Sequence, residues 1–104
     1  MNTYIKQDWL DALRSGKYTQ TKEVLKDSRG YCCLGVLCDI LYPDKWRQLS
    51  EECYETAYGY SVDLPMAIKE QCDIENVQES TLIDLNDVKG KNFSEIADYI
   101  ETNL

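Results

Sequence analysis

The sequence predicts an α+β fold that is mainly α: a small helical core with a short β-hairpin or extended segment beside it. Apolar residues recur every three or four positions near both ends of the chain, which is the pattern of amphipathic helices. Between these regions, residues 31–42 form an apolar run that ends at Pro43. With 104 residues, 43% of them hydrophobic, the chain is long enough for one core, so we expect a single domain over residues 1–104.

The first predicted helix covers residues 3–14. Ile5, Trp9 and Leu13 follow one another at intervals of four and place an apolar face along the helix. Gly16 comes soon after and is typical of a helix end. We therefore expect this helix to pack one face against the core.

The next part of the chain predicts an extended segment, a turn and a buried helix. Thr and Tyr residues after residue 17 favour extended chain, and "DSRG", residues 27–30, has the Asp and Gly positions of a tight turn. Periodicity alone does not separate a buried helix from a buried strand in residues 31–42. The length of this run and its end at Pro43 favour a helix, which would be central to the core.

The following region, residues 43–62, has the least regular pattern, with a short strand predicted near "YGYSV", residues 58–62. A helix is predicted over residues 65–72, with Pro65 at its first position, where the missing N–H costs nothing. The stretch "ESTLIDLNDVKG", residues 79–90, predicts a short helix or a turn.

The last predicted helix has the clearest signals. Asn92, followed by Glu95 three residues later, is typical of a capping box at a helix start. The apolar face of this helix comprises Phe93, Ile96, Ala97, Ile100 and Leu104.

The charge of the chain is unevenly distributed. The net charge is −8, but residues 1–29 carry six basic and four acidic residues, whereas residues 50–104 carry thirteen acidic residues and three lysines. This distribution of charge excludes a function in coating nucleic acid, so no direct nucleic-acid partner is predicted. It is compatible with a mimic of nucleic acid, with a basic pocket for a small anion, or with acidity that serves only solubility.

The five cysteines predict reduced thiols in a cytoplasmic protein. The start "MNTYIKQDWLDAL" does not resemble a signal peptide, and no apolar run reaches the roughly 20 residues that cross a membrane. A zinc site is disfavoured because the chain has no histidine and because Cys32 and Cys33 are adjacent, so that on a helix they point about 100° apart. Cys33 and Cys38 are therefore expected in the core, and Cys32 is the candidate for a reactive thiol.

No complete catalytic or cofactor signature is present. A nucleophilic cysteine lacks its usual histidine base, and "DLND" (Asp84, Asn86, Asp87) lacks the spacing of a calcium loop and is typical of side chains that bond their own backbone. The prediction is therefore no enzyme, no catalytic residue, no metal and no cofactor.

The stretch "LRSGKYTQTK", residues 13–22, is the most suggestive of a binding site. Guanidinium and ammonium groups bind phosphate, hydroxyls and amides bind ribose and base edges, and tyrosine stacks on bases. The spacing matches no phosphate-binding loop, and an ordinary solvated connection remains the alternative. The predicted ligand-binding residues are Arg14, Lys17, Tyr18, Thr19, Gln20, Lys22 and, further along the chain, Tyr31.

The stretches "LRSGKYTQ", "GYCCLGVLCDI", "LP" and "LNDVKGKNFSEIADYIE" resemble a family of small proteins encoded by bacteriophages and prophages. The resemblance covers most of the chain apart from about residues 43–62. Asn92 stands where the family pattern has Ser, which exchanges one helix N-cap residue for another. The resemblance implies a phage setting but no particular reaction.

Together these observations predict a phage-encoded, non-catalytic binding protein in the cytoplasm of the host cell. Its predicted ligand is a phosphorylated molecule, a nucleotide-derived immune signal of the cyclic nucleotide or ADP-ribose type, which the protein would sequester. The alternative is an acidic inhibitor of a host protein, acting as a nucleic-acid mimic or an anti-defence interaction protein. A homo-oligomer is compatible with either function, and no membrane partner is predicted.

Overall fold

The computed structural model describes residues 1–56 and 58–104. In this part of the chain a hairpin of two antiparallel strands lies between the second and third of five helices, which confirms the predicted mainly helical α+β class. The helices are α1 (Thr3–Arg14), α2 (Cys33–Leu41), α3 (Met66–Cys72), α4 (Asn76–Asp87) and α5 (Phe93–Asn103), and the strands are β1 (Arg47–Ser50) and β2 (Cys53–Glu55).

The central element is α2, as the apolar run predicts. Its residues 33–38 are all buried, which explains why this run is apolar on every side. Helix α1 packs against α2 and α5 through Trp9, Leu10 and Leu13. The indole Nε1 of Trp9 donates to the carbonyl of Cys33 at 2.9 Å, so this large buried side chain also satisfies its polar atom.

Side-chain caps start four of the helices, and the Cys32 sulfur caps α2. The Asn2 side chain accepts from the backbone N–H of Ile5 at the start of α1. The predicted capping box of α5 is confirmed, because Asn92 and Glu95 exchange hydrogen bonds of 2.9 and 3.1 Å. Helix α4 has a second capping box, in which Glu75 is the N-cap residue. These caps satisfy backbone N–H groups that the first helical turn leaves free.

The segment between α1 and α2, residues 15–32, runs against α2 as irregular chain. We call it the connecting segment. The predicted turn at residues 27–30 is confirmed: the Asp27 side chain accepts from the backbone N–H groups of Arg29 and Gly30. Backbone hydrogen bonds of 2.9 and 2.8 Å join Tyr31 to Thr19 and Thr21, which gives part of the segment the predicted extended form.

Two glycines allow close backbone contacts of the connecting segment, one within the segment at Gly30 and one with α2 at Gly35. A Cβ atom on Gly30 would lie 2.0 Å from the carbonyl oxygen of Thr19, and one on Gly35 would lie 1.7 Å from that of Leu25. No side chain fits in either gap, so backbone meets backbone directly at both places.

Three details differ from the sequence prediction. The strand predicted at residues 58–62 is wrong: Gly59 has φ +77° and residues 58–62 are irregular chain, while the hairpin uses β1 and β2 earlier in the chain. Helix α4 is longer than the predicted short helix or turn, because its capping box starts it earlier. Pro65 precedes α3 in an extended conformation and is not its first residue.

No helix among the described residues combines the length and the apolar character needed to span a membrane.

Truncation of Leu37 tests the position of the core. Leu37 is 0% exposed in α2, and Leu37→Ala should lower the free energy of unfolding by about 2–5 kcal/mol because it leaves a cavity among well-packed side chains. Urea unfolding followed by tryptophan fluorescence measures this loss. The matched control is Val88→Ala, at a side chain that is 76% exposed, which should change the free energy by less than about 0.5 kcal/mol. Equal effects of the two substitutions would contradict the assignment of α2 as the core helix.

Candidate functional site

The predicted ligand-binding residue Arg14 lies at the end of α1 and faces α5. Its guanidinium forms ion pairs with Asp98 at 2.9 Å and with Glu101 at 3.2 Å. Two carboxylates therefore compensate its charge within the chain, and these contacts join the two helices.

Tyr18 faces α2. Its hydroxyl donates to the carboxylate of Asp39 at 2.6 Å, and the indole Nε1 of Trp46 donates to the other oxygen of the same carboxylate at 2.9 Å. Burial and the hydrogen bond to Asp39 raise the pKa of Tyr18. Tyr31 packs edge-on against Tyr18, with ring centroids 5.0 Å apart. Both tyrosines are thus part of an aromatic cluster between the connecting segment and the hairpin.

Gln20 faces α4 and contacts a buried amide. Its Nε2 donates to the side-chain oxygen of Asn86 and to the backbone carbonyl of Lys91, both at 2.9 Å. Asn86 is 1% exposed, and its oxygen also accepts from the backbone N–H of Cys33 at 3.2 Å. Its Nδ2 donates to the carbonyl of Thr21 at 2.9 Å. The amide therefore joins the connecting segment, α2 and α4.

The remaining predicted residues are exposed. The side chains of Lys17, Thr19 and Lys22 face solvent, and the backbone of Thr19 pairs with Tyr31. Of the seven residues, only Lys22 lines the largest cavity described. The others contact three different helices or solvent, so this structure does not bring the seven together in one pocket.

The largest of the described cavities is a surface cleft of about 510 Å³ between the connecting segment and the hairpin turn. We call it the acidic cleft. The backbone N–H of Ser28 donates to the carbonyl of Glu51 at 3.2 Å and joins its two walls. The cleft is lined by Lys22, Glu23, Val24, Asp27, Ser28, Arg29, Glu51 and Glu52.

Carboxylates outnumber cations in the acidic cleft by four to two. Asp27 is buried beneath it and forms an ion pair with Arg29 at 3.1 Å. Burial disfavours the Asp27 carboxylate, but hydrogen bonds from Thr21, Arg29 and Gly30 outweigh that effect and lower its pKa. The positive charge of Arg29 is thus already compensated.

Three exposed carboxylates, those of Glu23, Glu51 and Glu52, have no ion pair within the described part of the chain. Glu23 adopts a left-handed backbone conformation with φ +73°, which is uncommon for a residue other than glycine. Lys22 is the only other cation that lines the cleft. The residues that line the cleft therefore carry a net negative charge.

Sequence reasoning did not identify these glutamates. Glu23 lies in the segment with a net positive charge, and Glu51 and Glu52 lie in the region with the least regular pattern. The one local signal is "SEEC", in which two adjacent acids occupy the turn between β1 and β2.

The expectation that Cys32 is a reactive thiol does not agree with its surroundings. Its sulfur caps α2 by accepting from the backbone N–H of Gly35 at 3.3 Å, and the residue is 7% exposed. Burial raises its pKa to about 12, which opposes formation of a thiolate. Cys33 and Cys38 are buried in the core, as predicted. Nowhere in residues 1–56 and 58–104 do three or more Cys, Asp or Glu side chains converge as metal ligands would.

Removal of the Asn86 side chain tests whether its hydrogen bonds hold the connecting segment in place. Asn86→Ala leaves a buried N–H and a buried carbonyl without partners, so the free energy of unfolding should fall by about 2–4 kcal/mol. Urea unfolding measures the loss. Asn103→Ala, which removes one exposed amide near the end of α5, is the control and should cost less than about 0.5 kcal/mol. A small effect of Asn86→Ala would mean that the segment is held by other contacts.

Thiol labelling tests the burial of the cysteines. Four of the five are buried, and Cys53 in β2 is half-buried. With an excess of Ellman's reagent at pH 8, Cys53 should react rapidly in the native protein and the others only as the protein unfolds. Cys53→Ser should remove the rapid phase. A rapid phase that persists in this variant would show that a core thiol is accessible.

A protein-family model described as "Domain of unknown function (DUF8296)" matches residues 1–104. No curated protein and no solved structure gives a significant match. Since the match covers all 104 residues of the sequence, the chain belongs to the DUF8296 family.

Proposed function

We propose that this protein is a non-catalytic binding domain whose acidic cleft binds a basic, lysine- or arginine-rich segment of another protein. The observation that carries the proposal is the charge of the cleft, in which Glu23, Glu51 and Glu52 face solvent and form no ion pair with the described residues. Carboxylates grouped in this way attract positive charge and accelerate its association.

The distribution of ion pairs supports this choice of partner. Within the described residues, six of the eleven lysines and arginines form ion pairs with carboxylates: Arg14, Arg29, Arg47, Lys69, Lys89 and Lys91. Intramolecular contacts thus use most of the positive charge, and the uncompensated charge on the surface is mainly acidic. A partner with a basic surface would be complementary to it.

The phage setting that the sequence resemblance implies indicates which kind of partner the cleft would bind. In that setting the partner is a host protein in the host cytoplasm, and the acidic domain inhibits it by covering a basic surface. A single exposed ion pair contributes little, about 0–1 kcal/mol, so several carboxylates must act together with contacts from neighbouring residues.

Sequestration of a phosphorylated nucleotide is the second candidate. Lys22 and Arg29 both line the acidic cleft, and its volume is in the range of small-molecule sites. However, Arg29 is already paired with Asp27, and three carboxylates would face a bound phosphate. The electrostatics of the cleft therefore favour a cationic ligand over an anionic one.

Neutralising the cleft tests the proposal. The probe is a fluorescein-labelled peptide of alternating lysine and glycine, and fluorescence anisotropy at low salt measures its Kd. The combined substitutions Glu23→Gln, Glu51→Gln and Glu52→Gln should raise Kd by about tenfold or more, and rising salt should abolish the difference.

The control changes the net charge equally elsewhere on the surface. Asp8, Asp44 and Glu70 are exposed and form no ion pair within the described residues, so Asp8→Asn, Asp44→Asn and Glu70→Gln together should raise Kd less than about threefold. Equal weakening in the two triple variants would overturn the cleft as a site. Retention of an unaltered nucleotide in native mass spectrometry, lost in Lys22→Gln, would instead favour the second candidate.

A further inference from the structure

The ammonium group of Lys26 lies among three aromatic rings. Its Nζ is 4.6 Å from the ring centroid of Tyr54, 5.1 Å from that of Tyr31 and 5.4 Å from that of Trp46. Each distance is within the roughly 6 Å over which a cation is attracted to an aromatic face. We call Tyr31, Trp46 and Tyr54 the aromatic cage.

The cage is held in place by contacts that do not involve the Lys26 side chain. The Trp46 indole donates to Asp39 at 2.9 Å, and the Tyr31 and Trp46 rings meet edge-on with centroids 6.1 Å apart. The backbone N–H of Tyr54 donates to the carbonyl of Lys26 at 3.0 Å. The rings therefore have partners that remain when the Lys26 side chain moves away.

The surroundings of the cage are also suited to a cation. The carboxylate of Asp39 accepts hydrogen bonds from Trp46 and Tyr18, and it forms no ion pair in the described part of the chain. It adds negative potential behind rings whose faces are already electron-rich.

A lysine ammonium matches this cage only in part. The Nζ of Lys26 makes no hydrogen bond or ion pair with the described residues, although an ammonium carries three N–H donors and is strongly hydrated. No side-chain nitrogen or oxygen that is fully buried in the described part lacks a partner, so Nζ keeps contact with solvent. The ammonium end of the cage is therefore not sealed from solvent.

We propose that the aromatic cage is a binding site for a quaternary ammonium group, and that Lys26 occupies it until such a ligand displaces it. A quaternary ammonium has no N–H donor to satisfy, so ring faces without hydrogen-bond acceptors suit it better than they suit lysine. A choline-type small molecule and a trimethylated lysine in a peptide share this chemistry. The site is separate from the acidic cleft, because neither the three cage residues nor Lys26 lines that cleft.

The first experiment uses the wild-type protein and choline. The rings should shift the NMR signals of the Lys26 ε-CH2 group upfield, and choline in excess should return them toward the position of a free lysine. Matched sodium chloride should have no such effect, and neither should the neutral alcohol in which carbon replaces the ammonium nitrogen. Signals that stay in place with choline, or that move equally with the neutral alcohol, would overturn the proposal.

The second experiment removes the occupant. Lys26→Ala should bind choline about tenfold more tightly than the wild type, measured through the Trp46 indole N–H signal. Lys17→Ala is the control, since it removes the same charge from an exposed position of the same segment. Adding Tyr54→Leu to Lys26→Ala should reverse the gain. An unchanged affinity in Lys26→Ala, with the fold verified by circular dichroism, would overturn the role of Lys26.

A third measurement distinguishes the two sources of the ligand. Both choline and acetylated trimethyllysine amide are titrated into Lys26→Ala. Tighter binding of the trimethyllysine compound would assign the site to a modified protein, and tighter binding of choline would assign it to a small molecule. Failure of the lysine–glycine peptide to bind the acidic cleft would leave each of these results unaffected, because the two tests use different probes and different residues.

Discussion

The hydrogen bonds of Asn86 connect parts of the chain that are far apart in sequence. The connecting segment has no helix or strand of its own, and its internal backbone hydrogen bonds satisfy only part of its polar groups, so the others need partners from outside it. One buried amide supplies partners to the carbonyl of Thr21, the backbone N–H of Cys33 and the side chain of Gln20. Helix α2 and the connecting segment are thereby placed together, and both proposed sites are built on that segment.

Both proposed sites depend on the course of the connecting segment. Glu23 and Lys26 are three residues apart in it, but the first lines the acidic cleft and the second extends into the aromatic cage. Glu23 has a left-handed backbone conformation, so the chain changes direction at this residue.

The elements that could be predicted from sequence are those whose signals are local. The apolar faces of α1 and α5, the capping box at Asn92 and the end of α2 before Pro43 each depend on residues within a few positions of one another. The hairpin and the length of α4 were harder to predict, because the four exposed residues of β1 show no apolar alternation and α4 has a weak apolar face.

The candidate sites were less predictable than the fold, for a different reason. Arg14, Tyr18 and Gln20 have the chemistry of ligand-binding residues, but each contacts a partner 21 to 87 positions away in the sequence. A sequence shows which groups are able to bind and does not show which are already bound within the chain. The acidic cleft likewise combines residues from two distant segments, and only the tertiary structure brings them together.

The hairpin lies at the edge of the molecule and contributes no residue to the buried core apart from the packing of nearby Trp46. Its turn, which carries Glu51 and Glu52, is joined to the connecting segment by the backbone hydrogen bond from Ser28 to Glu51, which does not depend on side-chain identity. Substitutions in this turn can therefore alter the charge presented to a partner with little effect on folding. Under the proposed function, such substitutions would diversify what the protein recognises on an unchanged scaffold, an arrangement well suited to a target that itself varies.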